Sequence, residues 1–220
     1  TAAGSKMKKG ALLISFLEPY STEQTVEKLV SAGVNAIGME VIPRTSRAQS
    51  MDALSSQANI AGYRAVLEAA AQLNRFFPLM MTSAGSARPA KVAVLGAGVA
   101  GLQAIATARR LGAKVEAYDV RSEVKEQIQS LGARFIDIQI EEEGSGQGGY
   151  AKELSEESKR KQQLQLTERL KGFDVIVSTA NIPGRKAPVL ITEDAVKGMR
   201  SGSVIVDMAA ANGGNCTLSE

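Results

Sequence analysis

Residues Lys91–Asp119 read KVAVLGAGVAGLQAIATARRLGAKVEAYD, and the fold turns on them. A short apolar β-type run, Val92 to Leu95, leads into a turn with glycines at Gly96, Gly98 and Gly101. An amphipathic helix follows, roughly Val99 to Leu111, then a second β-type run, Val115 to Tyr118, ending at Asp119. G-x-G-x-x-G alone is a weak signal. Here it follows a strand, opens a helix and is followed about 20 positions on by an acid, which is the context of a dinucleotide fingerprint. Each position has a mechanical reason. Gly96 permits the tight turn, Gly98 lets a pyrophosphate approach the backbone, and Gly101 lets the helix pack close to the strand. The helix start, at Val99 and Ala100, offers N–H groups and a partial positive charge to phosphates. Asp119 would accept hydrogen bonds from a ribose 2′-OH and repel a 2′-phosphate, so the pattern favours NAD over NADP. Val120 and Arg121 follow at the adenosine end, where Arg121 is either a cofactor contact or a surface arginine at a helix start. An FAD site shares this stretch, as does a glycine-tight βαβ unit that binds nothing.

Upstream, Asn74 to Pro89 reads as a connection, with Met80 and Met81 as packing residues. Before it, Ile60, Tyr63, Val66, Leu67, Ala70 and Leu73 recur at helical spacing, giving a long helix of roughly Ala48 to Leu73 for a core or a dimer contact. The polar stretch Pro43–Ser56, PRTSRAQSMDALSS, sits where a strand over 35–41 turns into that helix. Ligands bind outside the carboxyl ends of strands in open α/β sheets. Arg44, Gln49, Asp52 and Ser55 fall at such an end, and the spacing places Gln49, Asp52 and Ser55 on one helix face. A capped helix start with satisfied local hydrogen bonds accounts for the same residues. Further back, Ala11–Leu17 is a continuous apolar run of the kind a buried parallel strand shows. A helix to about Ser31 separates it from the strand over 35–41. This strand–helix–strand unit has no glycine fingerprint and reads as the tail of a further subdomain.

Downstream, a helix over 122–131 and a strand over 135–140 lead to a loop at 141–152 with four glycines and a single aromatic residue, Tyr150. Such a loop is a mobile lid or a surface insertion. The charged segment to Leu170 reads as a solvated helix. The strand at 174–179 ends before Ala180 and Asn181, a second turn facing the crevice and a candidate contact for the nicotinamide-side ribose. A capped helix to about Met199 and a strand over 203–208 follow. The expected class is therefore α/β: a Rossmann-like doubly wound parallel sheet, with the tail of a second, truncated Rossmann-like subdomain at the N-terminus. The expected division is 1–47 for the remnant, 48–89 for the long helix and linker, and 90–220 for an NAD-binding subdomain, truncated at its C-terminal end.

Composition removes several function classes. The chain has 220 residues, 44% hydrophobic and 22% charged, with a net charge of +3, which gives no basic stripe for nucleic acid. One cysteine and no histidine exclude a disulfide framework, a Cys/His metal site and any His-dependent nucleophile, so no metal is expected. No apolar run reaches the roughly 18 residues a membrane span needs.

At PRTSRAQSMDALSSQANIAGYRA (43–65), joined to VAVLGAGVAGLQAIATARRLGA (92–113), the chain resembles the alanine dehydrogenase/transhydrogenase family. Within it, the resemblance is to the NAD(H)-binding domain I, the alpha subunit, of proton-translocating NAD(P) transhydrogenases. It extends through GGYAKE (148–153), IPGRKAPVLIT (182–192) and GSVIVDMAAANGGNC (202–216), covering about Lys6 to Cys216. The resemblance implies two Rossmann-like subdomains with NAD(H) in the cleft between them. It implies that Arg44, Gln49, Asp52 and Ser55 hold the nicotinamide end, that Gln49 bridges toward a partner NADP(H)-binding domain, and that Asp119 binds the adenosine ribose. It also implies that Tyr150 closes over the nucleotide. The implied partners are an NADP(H) domain, a membrane domain of the same enzyme and a second copy of the chain. The implied place is the surface of a bacterial plasma membrane or an organelle inner membrane. Direct hydride transfer between two nicotinamides needs no general base, which suits a chain without histidine. An alanine dehydrogenase-like oxidoreductase and a non-catalytic NAD-binding module are the competing expectations.

Overall fold

A computed structural model describes residues 7–19, 23–138, 156–182 and 185–220. The chain forms two compact units, residues 1–58 and 59–220. In the first, β1 (Leu12–Ser15), α1 (Glu23–Ser31) and β2 (Asn35–Gly38) form a parallel pair with a connecting helix. Leu12 lies opposite Asn35 and Ser15 opposite Gly38. The apolar run is shorter than the expected strand, and it is not buried. Leu12 and Ile14 are 58% and 57% exposed, whereas Leu13 and Ser15 are half-buried. A period-2 strand gives its two sides different surroundings, and only one side here is partly covered. The chain also leaves β2 earlier than expected, passing into a single 3₁₀ turn at Met39–Val41.

The expected continuous helix from Ala48 is broken. Ser46–Met51 is a 3₁₀ turn, Asp52 has a non-helical ψ of 76°, and α2 runs from Ala53 to Gln72. The physical reason is a cap. Asp52 Oδ1 accepts a hydrogen bond from Ser55 N at 2.8 Å, which satisfies a first-turn donor and makes residue 52 the boundary. Gln49 therefore does not share a helix face with Asp52 and Ser55. Farther along α2, the buried side is Gly62, Ala65, Val66 and Ala69, while Ile60 and Tyr63 of the expected stripe are 58% and 48% exposed. Small residues win that side because the neighbouring backbone is so close. A Cβ on Gly62 would stand 2.1 Å from Ala100 O. The expected connection contains an antiparallel hairpin, β3 (Met80–Thr82) with β4 (Gly85–Ala87). Met81, expected to pack, is 79% exposed on it.

The second unit is built on a five-stranded parallel sheet in the order β7-β6-β5-β8-β9. Its strands are β5 (Lys91–Leu95), β6 (Lys114–Tyr118), β7 (Arg134–Phe135), β8 (Val175–Ser178) and β9 (Val204–Asp207). Its helices are α3 (Val99–Arg110), α4 (Lys125–Ser130), α5 (Glu156–Leu170) and α6 (Glu193–Gly198). Val92 pairs with Val115 on one side and Val175 on the other, so β5 is central. It is apolar without alternation because both faces are covered. Val92 and Val94 pack with Val66, Ala104, Ile105 and Ile128, from α2, α3 and α4. Ala93 and Leu95 pack with Leu166, Leu170 and Ala195, from α5 and α6. The sheet is thus doubly wound and Rossmann-like.

Two expectations yield here. The helix at 156–170 is not merely a solvated face. Leu166 and Leu170 are fully buried, and buried Gln162 donates to the Tyr118 hydroxyl. Its many charged residues obscure the narrow apolar side in the sequence. Of the strand expected over 135–140, β7 covers Phe135, residues 136–138 are not strand although Ile136 and Ile138 are buried, and 139–140 lie outside the described residues.

Candidate functional site

Strand order reverses between β5 and β8, because the chain proceeds β5, β6, β7 in one direction and resumes at β8 on the other side. A crevice at the carboxyl ends of these two strands is the place where such sheets take ligands. The glycine turn lies there, and sterics account for Gly96 and Gly101. Gly96 has φ +97°, a region that side chains disfavour, and a Cβ on it would meet Thr179 Oγ1 at 2.7 Å. A Cβ on Gly101 would stand 1.8 Å from Gly96 O, so α3 can press on the turn only without a side chain. Gly98 differs from both. Its Cβ position is open, with nothing within 4 Å, and its backbone caps α3 with φ −77° and ψ −169°. The first-turn N–H groups of a helix have no intrahelical acceptor. The open side of Gly98 leaves the backbone at the start of α3 accessible, and helix starts of this kind favour anions.

Asp119 follows the last residue of β6 and is 9% exposed. Its Oδ2 accepts a hydrogen bond from Ala97 N at 2.8 Å, tying the carboxylate to the glycine turn across 22 residues of sequence. Arg121 is not a solvated surface residue. Its backbone N and Nε donate to Oδ1 at 2.9 and 3.0 Å, and its Nη2 donates to Oδ2 at 3.0 Å. This pairing with Asp119 raises the guanidinium pKa, against the opposing effect of burial. Val120 between them is half-buried against the α5–α6 side of the core. Burial also pushes the neighbouring Tyr118 phenol well above its ordinary value, so it stays a neutral partner for Gln162.

The turn after β8 is held from behind. Thr179 Oγ1 donates to the carbonyls of Leu95 and Gly96. Asn215, fully buried, donates its amide hydrogens to Ala180 O and Pro188 O, both at 2.8 Å. Asn212 donates to Asn181 Oδ1 at 2.6 Å and to Arg185 O at 2.7 Å. The segment carrying both asparagines hangs on Asp207, at the end of β9. That carboxylate accepts from Ser178 Oγ, Ala209 N, Asn215 N, Cys216 N and Ser219 Oγ. Burial raises the Asp207 pKa, but these donors together bring it below the ordinary carboxylate value. Spacing singles out none of Thr179, Asp207, Asn212 and Asn215. The one signal in the sequence is an acid at a strand's carboxyl end followed by a glycine-asparagine run.

In the other unit, Arg44 Nη2 donates to Ser55 Oγ at 2.8 Å, and Arg44 Nε lies 3.7 Å from Asp52 Oδ2. The hydrogen bond from Ser55 N lowers the Asp52 pKa, with help from the Ser55 hydroxyl and the Arg44 charge. The structure thus brings Arg44, Asp52 and Ser55 into one cluster, while Gln49 stands apart, exposed, on the 3₁₀ turn. Tyr150 and its glycine-rich loop lie outside the described residues. Among the described residues no group of His, Cys, Asp and Glu could hold a metal ion, and no helix is long and apolar enough to cross a membrane.

Comparison with known proteins agrees with this geometry. Residues 65–220 match the family description "Alanine dehydrogenase/PNT, C-terminal domain", and residues 2–61 match its N-terminal domain. The chain is 51% identical over 216 residues to NAD(P) transhydrogenase subunit alpha of Haemophilus influenzae, covering 98% of this chain and 42% of that one. The crystal structure of transhydrogenase from Sinorhizobium meliloti is similar over the whole chain, and over 58% of its own, with a TM-score of 0.86 at 44% identity. Alanine dehydrogenase of Mycolicibacterium smegmatis is 29% identical over 213 residues, 96% of this chain and 52% of its own length. The chain spans about half the length of the curated relatives it matches. With a fingerprint strand, a doubly wound sheet and a match over most of its residues, the chain belongs to the alanine dehydrogenase/PNT family.

Proposed function

We propose that this chain is the NAD(H)-binding component of an NAD(P) transhydrogenase, and that hydride passes directly from NADH held here to NADP⁺ on a partner domain. One observation carries this over the alanine dehydrogenase reading. Over nearly the same length, identity to a transhydrogenase alpha subunit is 51%, against 29% to an alanine dehydrogenase. In this reading residues 90–220 hold the nucleotide, 1–47 belong to a second subdomain and 48–89 link them. The helix start at Gly98–Gly101 receives the diphosphate, Asp119 the adenosine ribose, and the Ala180–Asn181 turn the nicotinamide-side ribose. Arg44, Asp52 and Ser55 position the nicotinamide amide, and Gln49, with its exposed side chain, reaches toward the NADP(H) domain.

Hydride leaves C4 of the dihydronicotinamide with its electron pair and arrives at C4 of the NADP⁺ ring, giving NAD⁺ and NADPH. No proton is lost or gained at either ring, so the site needs orientation and exclusion of water rather than a general acid or base. The absence of histidine is consistent with this. In the full enzyme the transfer is coupled to proton movement across a membrane through other domains, and two copies of the chain pair. The test is to titrate the chain with NADH and NADPH, then add an NADP(H)-binding domain and follow hydride transfer. NADH binding followed by transfer is expected. NADH oxidation by pyruvate and ammonia in place of transfer would favour alanine dehydrogenase chemistry, and NADH binding with neither reaction a non-catalytic module.

A further inference from the structure

Asp119 is fully subscribed. An ionised carboxylate offers about four lone-pair sites, and four donors occupy them, two on each oxygen. Two of the donors, Ala97 N and Arg121 N, are backbone groups fixed by the glycine turn and the end of β6. The other two, Nε and Nη2, belong to the Arg121 side chain, which reaches back along its own backbone. They form a two-pronged contact, one prong to each carboxylate oxygen. The pair is well covered, with side-chain exposures of 19% for Arg121 and 7% for Asp119. A ribose diol also brings two neighbouring donors, its 2′- and 3′-hydroxyls. It needs the positions that the guanidinium fills.

We propose that Arg121 is a specificity-determining residue of the adenosine-side ribose site. Its guanidinium stands in for the ribose diol on Asp119, and a nucleotide binds by exchanging arginine donors for its own hydroxyls. This rests on the assignment of Asp119 to the ribose under the proposed function. The exchange has two consequences. Part of the diol's interaction is offset by loss of the internal pair, so the nucleotide is held less tightly than the carboxylate alone would hold it, which speeds its release. A ligand without the diol leaves the pair in place and gains nothing from Asp119.

The experiment is to measure NADH affinity by fluorescence on the 220-residue chain, and ADP and 2′,3′-dideoxy-ADP by competition. The wild type is compared with Arg121→Met, which keeps the aliphatic stem, and Arg121→Lys, which keeps the charge but has no fork. In Arg121→Met the affinity for ADP should rise relative to dideoxy-ADP by about fivefold, or about 1 kcal/mol at about 1.4 kcal/mol per tenfold. NADH should tighten with it, and Arg121→Lys should show the same change to a smaller degree. General loosening of the site would not produce a gain confined to diol-bearing ligands. If wild type binds NADH and the ADP to dideoxy-ADP ratio is unchanged or falls in Arg121→Met, the proposal fails while the NAD(H) assignment stands. If neither protein binds NADH, both fail. If Arg121→Met does not fold, the ratio in Arg121→Lys decides by the same criterion.

Discussion

Among the described residues two aspartates carry an arginine partner within a dozen residues, and the two pairs are built differently. Arg121 and Asp119 meet at 3.0 Å, mostly buried, with every acceptor position used. Arg44 and Asp52 meet at 3.7 Å, with Arg44 half-exposed. There the carboxylate caps a helix on one side and the arginine passes its better hydrogen bond to Ser55. The buried pair is a fixed part of the carboxyl end of the sheet, which under the proposal a ligand must break open. The other pair, with only its arginine half-exposed, is a looser cluster that under the proposal a ligand can adjust without loss of the fold. Under the proposed function, this separates holding a nucleotide from aligning its reactive ring.

The largest effect is expected where the fixed region leaves no space. In Gly101→Ala the new Cβ would meet Gly96 O at 1.8 Å, forcing α3 off the turn. A forced backbone shift of this kind costs about 1–3 kcal/mol of stability, and it should remove measurable NADH binding. Urea denaturation followed by NADH titration checks both. Unchanged binding would mean that the turn is not the diphosphate cradle. Next comes Asp119→Ala, which strips the acceptor from Ala97 N and the ribose together. Loss of a charged hydrogen bond costs about 1.5–3 kcal/mol, so NADH affinity should fall about tenfold or more. The same substitution removes the charge that would repel a 2′-phosphate, so the preference for NADH over NADPH should shrink. Equal affinities of wild type and variant for NADH would show the strand-end acid to be structural only.

Acid offers a way to tell fixed carboxylates from adjustable ones. Asp207, with five donors, has a folded-state pKa below that of the unfolded chain. Its contribution is therefore complete above the unfolded value of about 3.9 and is lost as the pH falls through the lower folded value. In Asp207→Asn the protein should be less stable at neutral pH, and its stability should depend less steeply on pH below about 4. Urea midpoints from pH 6 to pH 3 measure this, and parallel profiles for the two proteins would sink it. Asp52, half-buried, shifts in the same direction, but it is held mainly by one backbone donor, and its titration should move the folding midpoint less than that of Asp207.

The same contrast explains what could be read from the sequence. Gly96 and Gly101 were legible because no other residue survives contacts of 2.7 and 1.8 Å. The β-type runs of β5 and β8 were legible because strands covered on both faces are apolar almost throughout. Helix faces set by close backbone approach were not. Gly62, Ala65 and Ala69 give α2 a buried side with little hydrophobic signal, and Ile60 and Tyr63 supplied a stronger but misleading one. The Asp52 cap was visible as a residue type, yet a periodic pattern ran through it and hid the break. The Asp207 cluster draws donors from residues 178 to 219, a convergence that exists only once β8 and β9 are paired. Nor could spacing show that Arg121 fills the acceptor sites of Asp119 rather than facing a ligand.

The smallest expected effects fall in the adjustable cluster, where stability and function should come apart. Gln49→Asn shortens an exposed side chain on a 3₁₀ turn. It should leave NADH affinity nearly intact and slow hydride transfer once an NADP(H)-binding domain is supplied. An unchanged transfer rate would remove Gln49 from the mechanism. Arg44→Ala removes a half-exposed pair and one hydrogen bond to Ser55. Exposed pairs contribute about 0–1 kcal/mol, so the urea midpoint should barely move, because the Asp52 cap to Ser55 N survives without the arginine. If Arg44 acts on the nicotinamide amide, transfer should slow by far more than that change in stability accounts for. A variant that loses stability and transfer in proportion would make the Arg44 cluster a second fixed region, and the contrast with Asp119 would then lie only in depth of burial.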